Sequence, residues 1–290
     1  MPTIKSLLDL SQDKLRAVSG TPRLDAELLM CYLLKIDRAK LFSKLKEDID
    51  CTIQLEFNKI IERRKSAEPL AYITGKKEFY GYEFEVSPSV LIPRPETELL
   101  VELSLQHLVE LTGRLNILDL GTGSGCIAVV LALELQKLGR DFTIDAADQA
   151  SAALDIAAKN AARHSVSKRI NFVQSNWFSA FKSLNVSYDL IVSNPPYIAE
   201  GDRNISTETK YEPGQALFSG PEGLDSIRLL MLESKIFLNR QGLLVCEIGS
   251  SQFSLIQDYY RNFPYFNSST LTFCKDLAGM YRAIKLKFEA

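Results

Sequence analysis

The strongest constraint on the fold is the alternation, from residue 115 onward, of short β-rich runs with longer helical runs. The run "LNILDL" leads into the helical run "CIAVVLALELQKL", and "FTIDAAD" leads into "ASAALDIAAKNAARH". Parallel neighbouring strands need a crossover connection, which a helix of this length supplies. The pattern therefore predicts a mostly parallel sheet with helices on both faces. Three further β-rich runs continue it: "INFVQ", "YDLIVS" and "GLLVCEIG".

The last two β-rich runs, "STLTFCKDL" and "YRAIKLKF", have no room for a helix between them. We expect them to pair antiparallel at one edge of the sheet. Together the runs predict an α/β fold with a doubly wound, mostly parallel seven-stranded sheet of the Rossmann-like type. We assign this domain to residues 96–290.

Before this domain the apolar residues recur with helical spacing. Ile53, Phe57 and Ile60 share one face of a predicted helix, and Thr21-Pro22 offers an N-cap followed by proline at the first position of another. Residues 1–75 are therefore predicted to form a small helical bundle. Residues 76–95 change to period two around aromatic residues and glycine, which predicts a β-hairpin linker between the two domains.

The composition excludes several kinds of site and partner. The chain of 290 residues has only two histidines, His107 and His164, and they lie far apart in the sequence, so neither a three-histidine zinc site nor a Cys2His2 finger can form. The five cysteines are scattered without a CxxC pair, as is typical of reduced thiols in a cytoplasmic protein. The net charge of −2 and the lack of a signal peptide or a long apolar run argue against a nucleic-acid or membrane partner.

The first candidate binding site is the loop after the first strand, Gly121-Thr122-Gly123-Ser124-Gly125. Glycines let the backbone approach a ligand closely, and the next helix offers free N–H groups at its N-terminus. A tight strand-to-helix turn without a ligand is the alternative, although three alternating glycines exceed what a turn needs. The chain lacks GxxxxGK, and this GxGxG differs from the dinucleotide pattern GxGxxG. A nucleoside ligand without pyrophosphate is therefore the better candidate.

The next strand ends at Asp148, where a carboxylate could accept hydrogen bonds from both hydroxyls of a ribose. The alternative role for Asp148 is an N-cap of the following helix. Asp145 competes for the same role, but it lies within the run and is expected to face a helix or solvent. We predict Asp148 as the ribose-binding residue.

The most specific signal is Asn194-Pro195-Pro196-Tyr197, which follows the strand "YDLIVS". The prolines fix φ and remove two backbone donors, Asn194 adds a side-chain oxygen, and Tyr197 adds a flat ring. Two acceptors and a ring suit a planar NH2 group, whose lone pair they leave directed at an incoming electrophile. A plain proline turn after a strand is the alternative, and the flanking Asn and Tyr count against it.

These motifs resemble a known family. "DLGTGSG", Asp148 and "NPPY" look like a class I S-adenosylmethionine-dependent methyltransferase that acts on an exocyclic or amide nitrogen. "LIPRPETE" together with "NPPY" resembles the bacterial release factor glutamine methyltransferases, and the likeness extends from about residue 68 to residue 285. The blocks that carry this likeness are "EPLAYITGKKEFYGYEFEVSPSVLIPRPETE", "QSNWF", "YEPGQALFSGPEGLD", "LLVCEIG" and "CKDLAGMYR". The helical N-terminus fits the small substrate-binding domain of that family.

The resemblance implies roles for individual residues. It places the loop 121–125 around the methionine part of S-adenosylmethionine and Asp148 on its ribose. Trp177, the only tryptophan, would pack beside the adenine, with core packing as the alternative. Asn176 stands where the family usually has Asp, so it would bind the adenine amino group without charge and more weakly. Asn194 would touch both cofactor and substrate.

The resemblance also implies a reaction. The methyl group would pass to the side-chain amide nitrogen of the glutamine in the GGQ motif of class 1 peptide chain release factors, with S-adenosyl-L-homocysteine as product and no metal. Asn194, Pro195 and Tyr197 are the candidate catalytic residues, and Pro196 joins them in binding the substrate glutamine. We expect a cytoplasmic monomer without direct contact to nucleic acid or membrane.

Two other functions remain open. An adenine-N6 or cytosine-N4 methyltransferase on DNA or RNA needs the same acceptors for a flipped base, and the basic run "KIIERRK" and Lys76-Lys77 favour it. A binding module that uses the fold only as a scaffold is the second alternative. The intact glycine loop and NPPY motif count against a binding module.

Overall fold

The computed structural model describes residues 2–202 and 205–289, so Met1, Arg203, Asn204 and Ala290 lie outside the described residues. The chain forms two compact units. One comprises the chain up to Lys76 together with Ser206–Tyr211, and the other comprises Lys77–Ile205 and the chain from Glu212 onward. The first is called the helical unit and the second the sheet unit. Within the described residues, none of the helices has the length and apolar character needed to cross a membrane.

The helical unit is built around one apolar core, which includes Leu8, Leu29 and Phe57, all fully buried. Its helices are α1 (Ile4–Leu15), α2 (Pro22–Leu34), α3 (Arg38–Ser43), α4 (Cys51–Lys65) and α5 (Leu70–Thr74). Pro22 occupies the first turn of α2, as the sequence predicts. The Thr21 hydroxyl, however, donates to Asp25 Oδ1 (3.2 Å) instead of capping a backbone N–H.

A buried ion pair joins the helical unit to its distant segment. Arg64 Nε donates to Asp25 Oδ2 and its Nη2 to Glu208 Oε1, both at 2.7 Å, and the Arg64 side chain is 5% exposed. The Tyr211 hydroxyl adds a bond to the Ser66 carbonyl (2.8 Å). Because a buried guanidinium is stable only when paired, these contacts attach Ser206–Tyr211 to the helical unit.

The sheet unit contains the predicted seven-stranded sheet, in the order β5-β4-β3-β6-β7-β9-β8. The strands are β3 (Leu115–Leu120), β4 (Phe142–Asp148), β5 (Ile170–Gln174), β6 (Tyr188–Ser193), β7 (Leu238–Glu247), β8 (Ser269–Lys275) and β9 (Tyr281–Phe288). Neighbours from β5 to β7 are parallel, and β9 runs antiparallel to both β7 and β8. The predicted fold class and the antiparallel edge pair are confirmed.

Helices cover both faces of this sheet. They are α6 (Glu98–Leu108), α7 (Cys126–Lys137), α8 (Ser151–Arg163), α9 (Asp225–Phe237) and α10 (Phe253–Asn262). One apolar core contains residues of α6, α7 and α8, and the other contains residues of α9 and α10. Strands buried on both faces explain why "LNILDL" and "YDLIVS" are nearly continuous apolar runs.

A two-stranded hairpin, β1 (Lys76–Phe79) and β2 (Tyr82–Glu85), precedes the sheet. Buried Asn160 on α8 binds it: Oδ1 accepts the Glu85 N–H (2.7 Å) and Nδ2 donates to the Glu85 carbonyl (3.0 Å). The same Nδ2 donates to the Ser124 carbonyl (2.9 Å). One asparagine thus joins the hairpin to the glycine loop.

Candidate active site

A cleft opens at the carboxyl ends of β3, β4, β5 and β6. These strands bring four separate sequence segments to one edge of the sheet. Two further segments complete the wall, one with residues 89–91, 93 and 97 and one with residues 213, 215 and 216. The position agrees with the rule that ligands of open α/β sheets bind beyond the carboxyl ends of the strands.

The glycine loop forms one wall of the cleft. Gly121, Thr122, Gly123 and Ser124 line it. The Gly121 and Thr122 N–H groups both donate to the Ala147 carbonyl, at 2.8 and 2.9 Å, which fixes the loop on the neighbouring strand. The loop is therefore held before a ligand binds.

Gly125 has a different place from the other loop residues. It is not among the residues that line the cleft, and it is the N-cap of α7 with φ of 78°. A Cβ on Gly125 would lie 2.9 Å from Ala157 Cβ, closer than side-chain atoms pack. Glycine at this position is therefore required for the packing of α7 against α8.

Asp148 is the last residue of β4, and its carboxylate contacts the glycine loop. Its Oδ2 accepts the Gly123 N–H and its Oδ1 the Ala150 N–H, both at 2.9 Å. Ala150 is the N-cap residue of α8, so Asp148 does not have the alternative role of helix N-cap. The competing candidate, Asp145, accepts hydrogen bonds from the Tyr188 hydroxyl (2.7 Å) and from Asn171 (2.9 Å) and does not line the cleft.

A buried carboxyl lies under the glycine loop. Burial raises the pKa of Asp119 to about 7, and the hydrogen bond that its Oδ2 accepts from the Thr122 hydroxyl (2.7 Å) opposes the rise. Its Oδ1 has no hydrogen-bond partner among the described residues. Asp119 supports the loop from below and was not among the predicted site residues.

Asn176 and Trp177 line the cleft beyond β5. Trp177 is half-buried, packs against the core of the α9 and α10 face, and has a left-handed backbone with φ of 49°. Its Cζ3 lies 3.9 Å from the point where a Gly121 Cβ would stand. Trp177 therefore both packs on the core and presents its ring to the cleft beside the glycine loop. Asn176 is exposed at the rim.

The NPPY segment supplies Asn194 and Pro196 to the wall of the cleft, whereas Pro195 and Tyr197 are not among the lining residues. Asn194 Nδ2 donates to Thr97 Oγ1 (3.0 Å). Asn194 Oδ1 is buried and has no partner among the described residues. An unpaired buried acceptor is unfavourable by about 1–3 kcal/mol, so a ligand N–H at this wall would remove that penalty.

Tyr197 is fixed from behind the NPPY segment. Its hydroxyl donates to Glu247 Oε1 (3.2 Å), and its carbonyl accepts from Gln252 Nε2 (3.0 Å). Gly223 also approaches this carbonyl so closely that a Cβ there would lie 2.2 Å from the Tyr197 oxygen. Burial raises the pKa of the Tyr197 phenol, so this hydroxyl is a hydrogen-bond donor at neutral pH.

Sequence reasoning missed four residues and two segments at the site. Thr97, Glu247, Asp119 and Gln252 contact the predicted residues, and the two segments are those around residues 89–97 and 213–216. An ion pair between Arg94 and the buried carboxylate of Glu212 joins the two segments, and Glu212 Oε2 also accepts the Ile92 N–H (3.2 Å). The available signal was the pair of blocks "LIPRPETE" and "YEPGQALFSGPEGLD", which resemble family blocks.

The possible metal ligands and the basic run "KIIERRK" bear on the alternative functions. Among residues 2–202 and 205–289, no group of three or more His, Cys, Asp or Glu side chains could hold a metal ion. The cations of "KIIERRK" have acidic partners: Lys59 with Glu56, Arg63 with Glu68, Arg64 with Asp25 and Glu208, and Lys65 with Glu62. This pairing weakens the case for nucleic-acid binding through that run.

Comparison with known proteins gives matches along most of the chain. Residues 6–75 match the family described as PrmC N-terminal domain, and residues 96–218 match the family described as Methyltransferase small domain. A protein of Coxiella burnetii named release factor glutamine methyltransferase is 40% identical over 282 residues, which cover 97% of this chain and 98% of that protein. A protein of the same name in Nitratidesulfovibrio vulgaris is 38% identical over 292 residues, with 97% and 94% covered.

Solved structures resemble the sheet unit more distantly. The catalytic domain of human Mettl16, solved in complex with a hairpin of the MAT2A 3′ untranslated region, has a TM-score of 0.54 and 17% sequence identity. The match covers 72% of this chain and 75% of that one. At this identity the likeness shows the fold alone.

Proposed function

The chain belongs to the release factor glutamine methyltransferase family, and from that premise we propose that it methylates the side-chain amide nitrogen of the GGQ glutamine in class 1 release factors. The methyl donor in this proposal is S-adenosylmethionine. The observation that carries the proposal is Asn194 Oδ1, a buried acceptor on the wall of the cleft that has no partner in the described part of the chain. It needs an N–H donor, and a glutamine amide is one.

The substrate amide has two N–H groups in one plane. Asn194 Oδ1 would accept one of them, and a carbonyl of the NPPY segment would accept the other, because prolines at 195 and 196 leave carbonyls without competing N–H donors. Holding both protons in the amide plane leaves the nitrogen lone pair perpendicular to it. The amide nitrogen is then positioned as a nucleophile without a base.

The residues present fit S-adenosylmethionine. The loop residues Gly121 to Ser124 would offer backbone groups to its methionine part, as the family resemblance implies. The Asp148 carboxylate keeps lone pairs for ribose hydroxyls, and the ring of Trp177 and the Asn176 amide, which line the same cleft, would hold the adenine. Gly125 has no direct part in this proposal, because it packs against Ala157.

When bound, S-adenosylmethionine supplies a methyl group on a positively charged sulfur, which is already a strong electrophile. The bond from the amide nitrogen to the methyl carbon forms as the carbon–sulfur bond breaks, and the nitrogen proton then leaves to water. The chain's contribution is alignment of the nitrogen and exclusion of water from the cleft. This agrees with a site without histidine: His107 and His164 bind the Asp189 and Glu83 carbonyls instead.

The helical unit is the second part of the proposal. Residues 6–75 match the PrmC N-terminal domain family, and we assign binding of the release factor to this unit. In this proposal residues 1–75 bind the release factor, residues 96–290 carry out the reaction, and residues 76–95 are the linker. These are the domain boundaries predicted from the sequence.

The test is transfer of a labelled methyl group from S-adenosylmethionine to a purified class 1 release factor, followed by mass spectrometry of the acceptor residue. A release factor with Ala in place of the GGQ glutamine is the matched control. Duplex DNA and structured RNA are incubated in parallel. Label on the GGQ glutamine supports the proposal, whereas label on nucleic acid alone, or on the glutamine-free control, would overturn it.

A further inference from the structure

Thr97 and Glu247 come to Asn194 from different parts of the chain. Thr97 ends the short 3-10 turn Pro95–Thr97 before α6, and its Oγ1 accepts from Asn194 Nδ2 at 3.0 Å. Glu247 ends β7, and the pairing of Ser193 with Cys246 places Asn194 and Glu247 at the next register position of β6 and β7. Thr97 is 2% exposed and Glu247 is 1% exposed, so water does not compete for either side chain.

Glu247 is the acceptor at the centre of this cluster. Its Oε1 accepts from the Tyr197 hydroxyl (3.2 Å), and its Oε2 is buried without a partner at hydrogen-bonding distance among the described residues. Burial raises the pKa of this carboxyl, and the hydroxyls of Thr97 and Tyr197 lower it. Oε2 is an open acceptor among the described residues, which a Thr97 hydroxyl turned toward the carboxylate would fill.

The direction of these hydrogen bonds decides how Asn194 faces the cleft. An ionised carboxylate only accepts, so a Thr97 hydroxyl turned toward Glu247 would donate its proton there and leave its oxygen as an acceptor. That oxygen can then receive only the NH2 side of the Asn194 amide, and the Oδ1 side turns to the cleft. If Thr97 donated to Asn194 instead, the amide could flip and present NH2 to a substrate NH2 group.

We propose that Thr97 and Glu247 are positioning residues that hold the Asn194 amide with Oδ1 toward the cleft, and that Glu247 also fixes Tyr197. This inference rests on the proposed function, because it assigns to Asn194 the acceptor role for a substrate amide. Neither residue touches the reacting atoms: they act through Asn194 and Tyr197.

Protonation of Glu247 would release the Asn194 amide from this fixed orientation. Burial raises the pKa of Glu247 to about 7. Glu96 also raises this pKa, whereas Thr97, Tyr197 and Arg282 lower it. These groups come from the turn before α6, the NPPY segment and β9, and Asp276 in turn pairs with Arg282 (3.3 Å). A neutral carboxyl can donate to Thr97, after which the Asn194 orientation is no longer fixed. The kcat of the wild type should therefore rise with pH through about 7.

The first test compares Thr97→Val with Thr97→Ser, since valine keeps the shape of threonine and serine keeps its hydroxyl. Thr97→Val is expected to lower kcat about tenfold, the loss of one neutral hydrogen bond, with KM for the release factor and the affinity for S-adenosylhomocysteine within about twofold of the wild type. Thr97→Ser should restore most of kcat. Thr272→Val is the control: it removes an exposed hydroxyl on β8 and should leave kcat unchanged.

The second test is the pH profile of Glu247→Gln. Glutamine does not titrate, so kcat should lose its rise between pH 6 and 8 while the release factor KM stays the same. A merely structural role would change stability and not remove this limb. A rising limb in Glu247→Gln equal to that of the wild type would overturn the part assigned to Glu247.

The third readout needs no substrate. The side-chain amide protons of Asn194, assigned in an NMR spectrum by their loss in Asn194→Ala, should shift in Thr97→Val and stay in place in Thr97→Ser. An unchanged signal in Thr97→Val, or equal kcat in the Val and Ser variants, contradicts the inference. If the wild type transfers no methyl group to a release factor, the proposed function fails, and the NMR comparison still decides whether Thr97 orients Asn194.

Discussion

Asp148 Oδ2 accepts the Gly123 N–H at 2.9 Å, so the carboxyl end of β4 is tied to the glycine loop that follows β3. Because Oδ1 is held in the same way by the Ala150 N–H, the carboxylate has one orientation before a ligand arrives. Each oxygen keeps a lone pair for another donor. A ribose would meet acceptors that need no further ordering, which favours tight binding.

We expect Asp148→Ala to weaken S-adenosylhomocysteine binding about tenfold to a hundredfold, because hydrogen bonds to a charged acceptor contribute about 1.5–3 kcal/mol. Calorimetry measures the affinity directly. Asp141→Ala removes an exposed carboxylate paired with Arg169 and should leave the affinity unchanged. Equal affinity in the wild type and Asp148→Ala would exclude the ribose-binding role.

Asn194→Ala should lower kcat about 10²–10³-fold, the usual effect of removing one group that orients the reacting centre. The fold should survive, because the variant deletes only one hydrogen bond, from Nδ2 to Thr97 Oγ1, and an Oδ1 acceptor that has no partner among the described residues. Turnover with a release factor and a thermal melt are measured together. Asn171→Ala is the control, because it removes the side-chain amide of an exposed residue of β5. Turnover near the wild-type rate would rule out the acceptor role of Asn194.

Gly125→Ala tests whether this glycine serves packing. A Cβ against Ala157 combined with φ of 78° should reduce the free energy of unfolding by about 2–4 kcal/mol. Gly139→Ala, with φ of 66° and open space around it, should lose only about 1 kcal/mol. Denaturant unfolding gives both values.

Ala157→Gly provides the matching double-mutant cycle. In its background Gly125→Ala should be less damaging by more than 1 kcal/mol, about the part of the effect that is due to the clash. Additive effects would show that Ala157 is not the residue that requires glycine at 125.

The free energy of unfolding should fall between pH 5 and about pH 7. Burial raises the folded-state pKa of Glu247 from 4.5 to about 7, so in this range the folded chain keeps a proton that the unfolded chain has lost. Stability then decreases as pH rises, by at most about 1.4 kcal/mol per pH unit for this group. Asp119 acts in the same direction, since burial raises its pKa to about 7.

Glu247→Gln should flatten this slope, with Asp119 still contributing to it and the lowered pKa of buried His107 opposing it. Denaturant unfolding at a series of pH values measures the slope. Glu289→Gln is the control, because it removes the same charge from an exposed residue that follows β9. The prediction fails if both variants keep the wild-type slope.

The sheet could be predicted closely because strand patterns are local. The runs "LNILDL", "FTIDAAD", "INFVQ", "YDLIVS" and "YRAIKLKF" coincide with the observed strands β3, β4, β5, β6 and β9. Each predicted site segment follows such a strand, and parallel strands end at one edge, so the grouping of Gly121, Asp148 and Asn194 followed from topology.

The supporting residues could not be found in this way. Thr97 lies 97 positions from Asn194, and Tyr197 lies 50 positions from Glu247, so no local pattern relates the members of either pair. The part played by Gly125 depends on Ala157, which belongs to another helix. Such contacts are set by tertiary packing, about which periodicity and spacing carry no information.

The ion pairs of Arg64 have a consequence for how this chain can be divided. The helical unit uses Glu208, a residue encoded more than a hundred positions after its last helix. A fragment ending at residue 76 would keep the buried guanidinium and lose one of its two carboxylates. A gene fragment that ends at residue 76 would therefore encode an incomplete helical unit. To isolate that unit in a stable form, the distant hexapeptide Ser206–Tyr211 must be added back through a grafted loop.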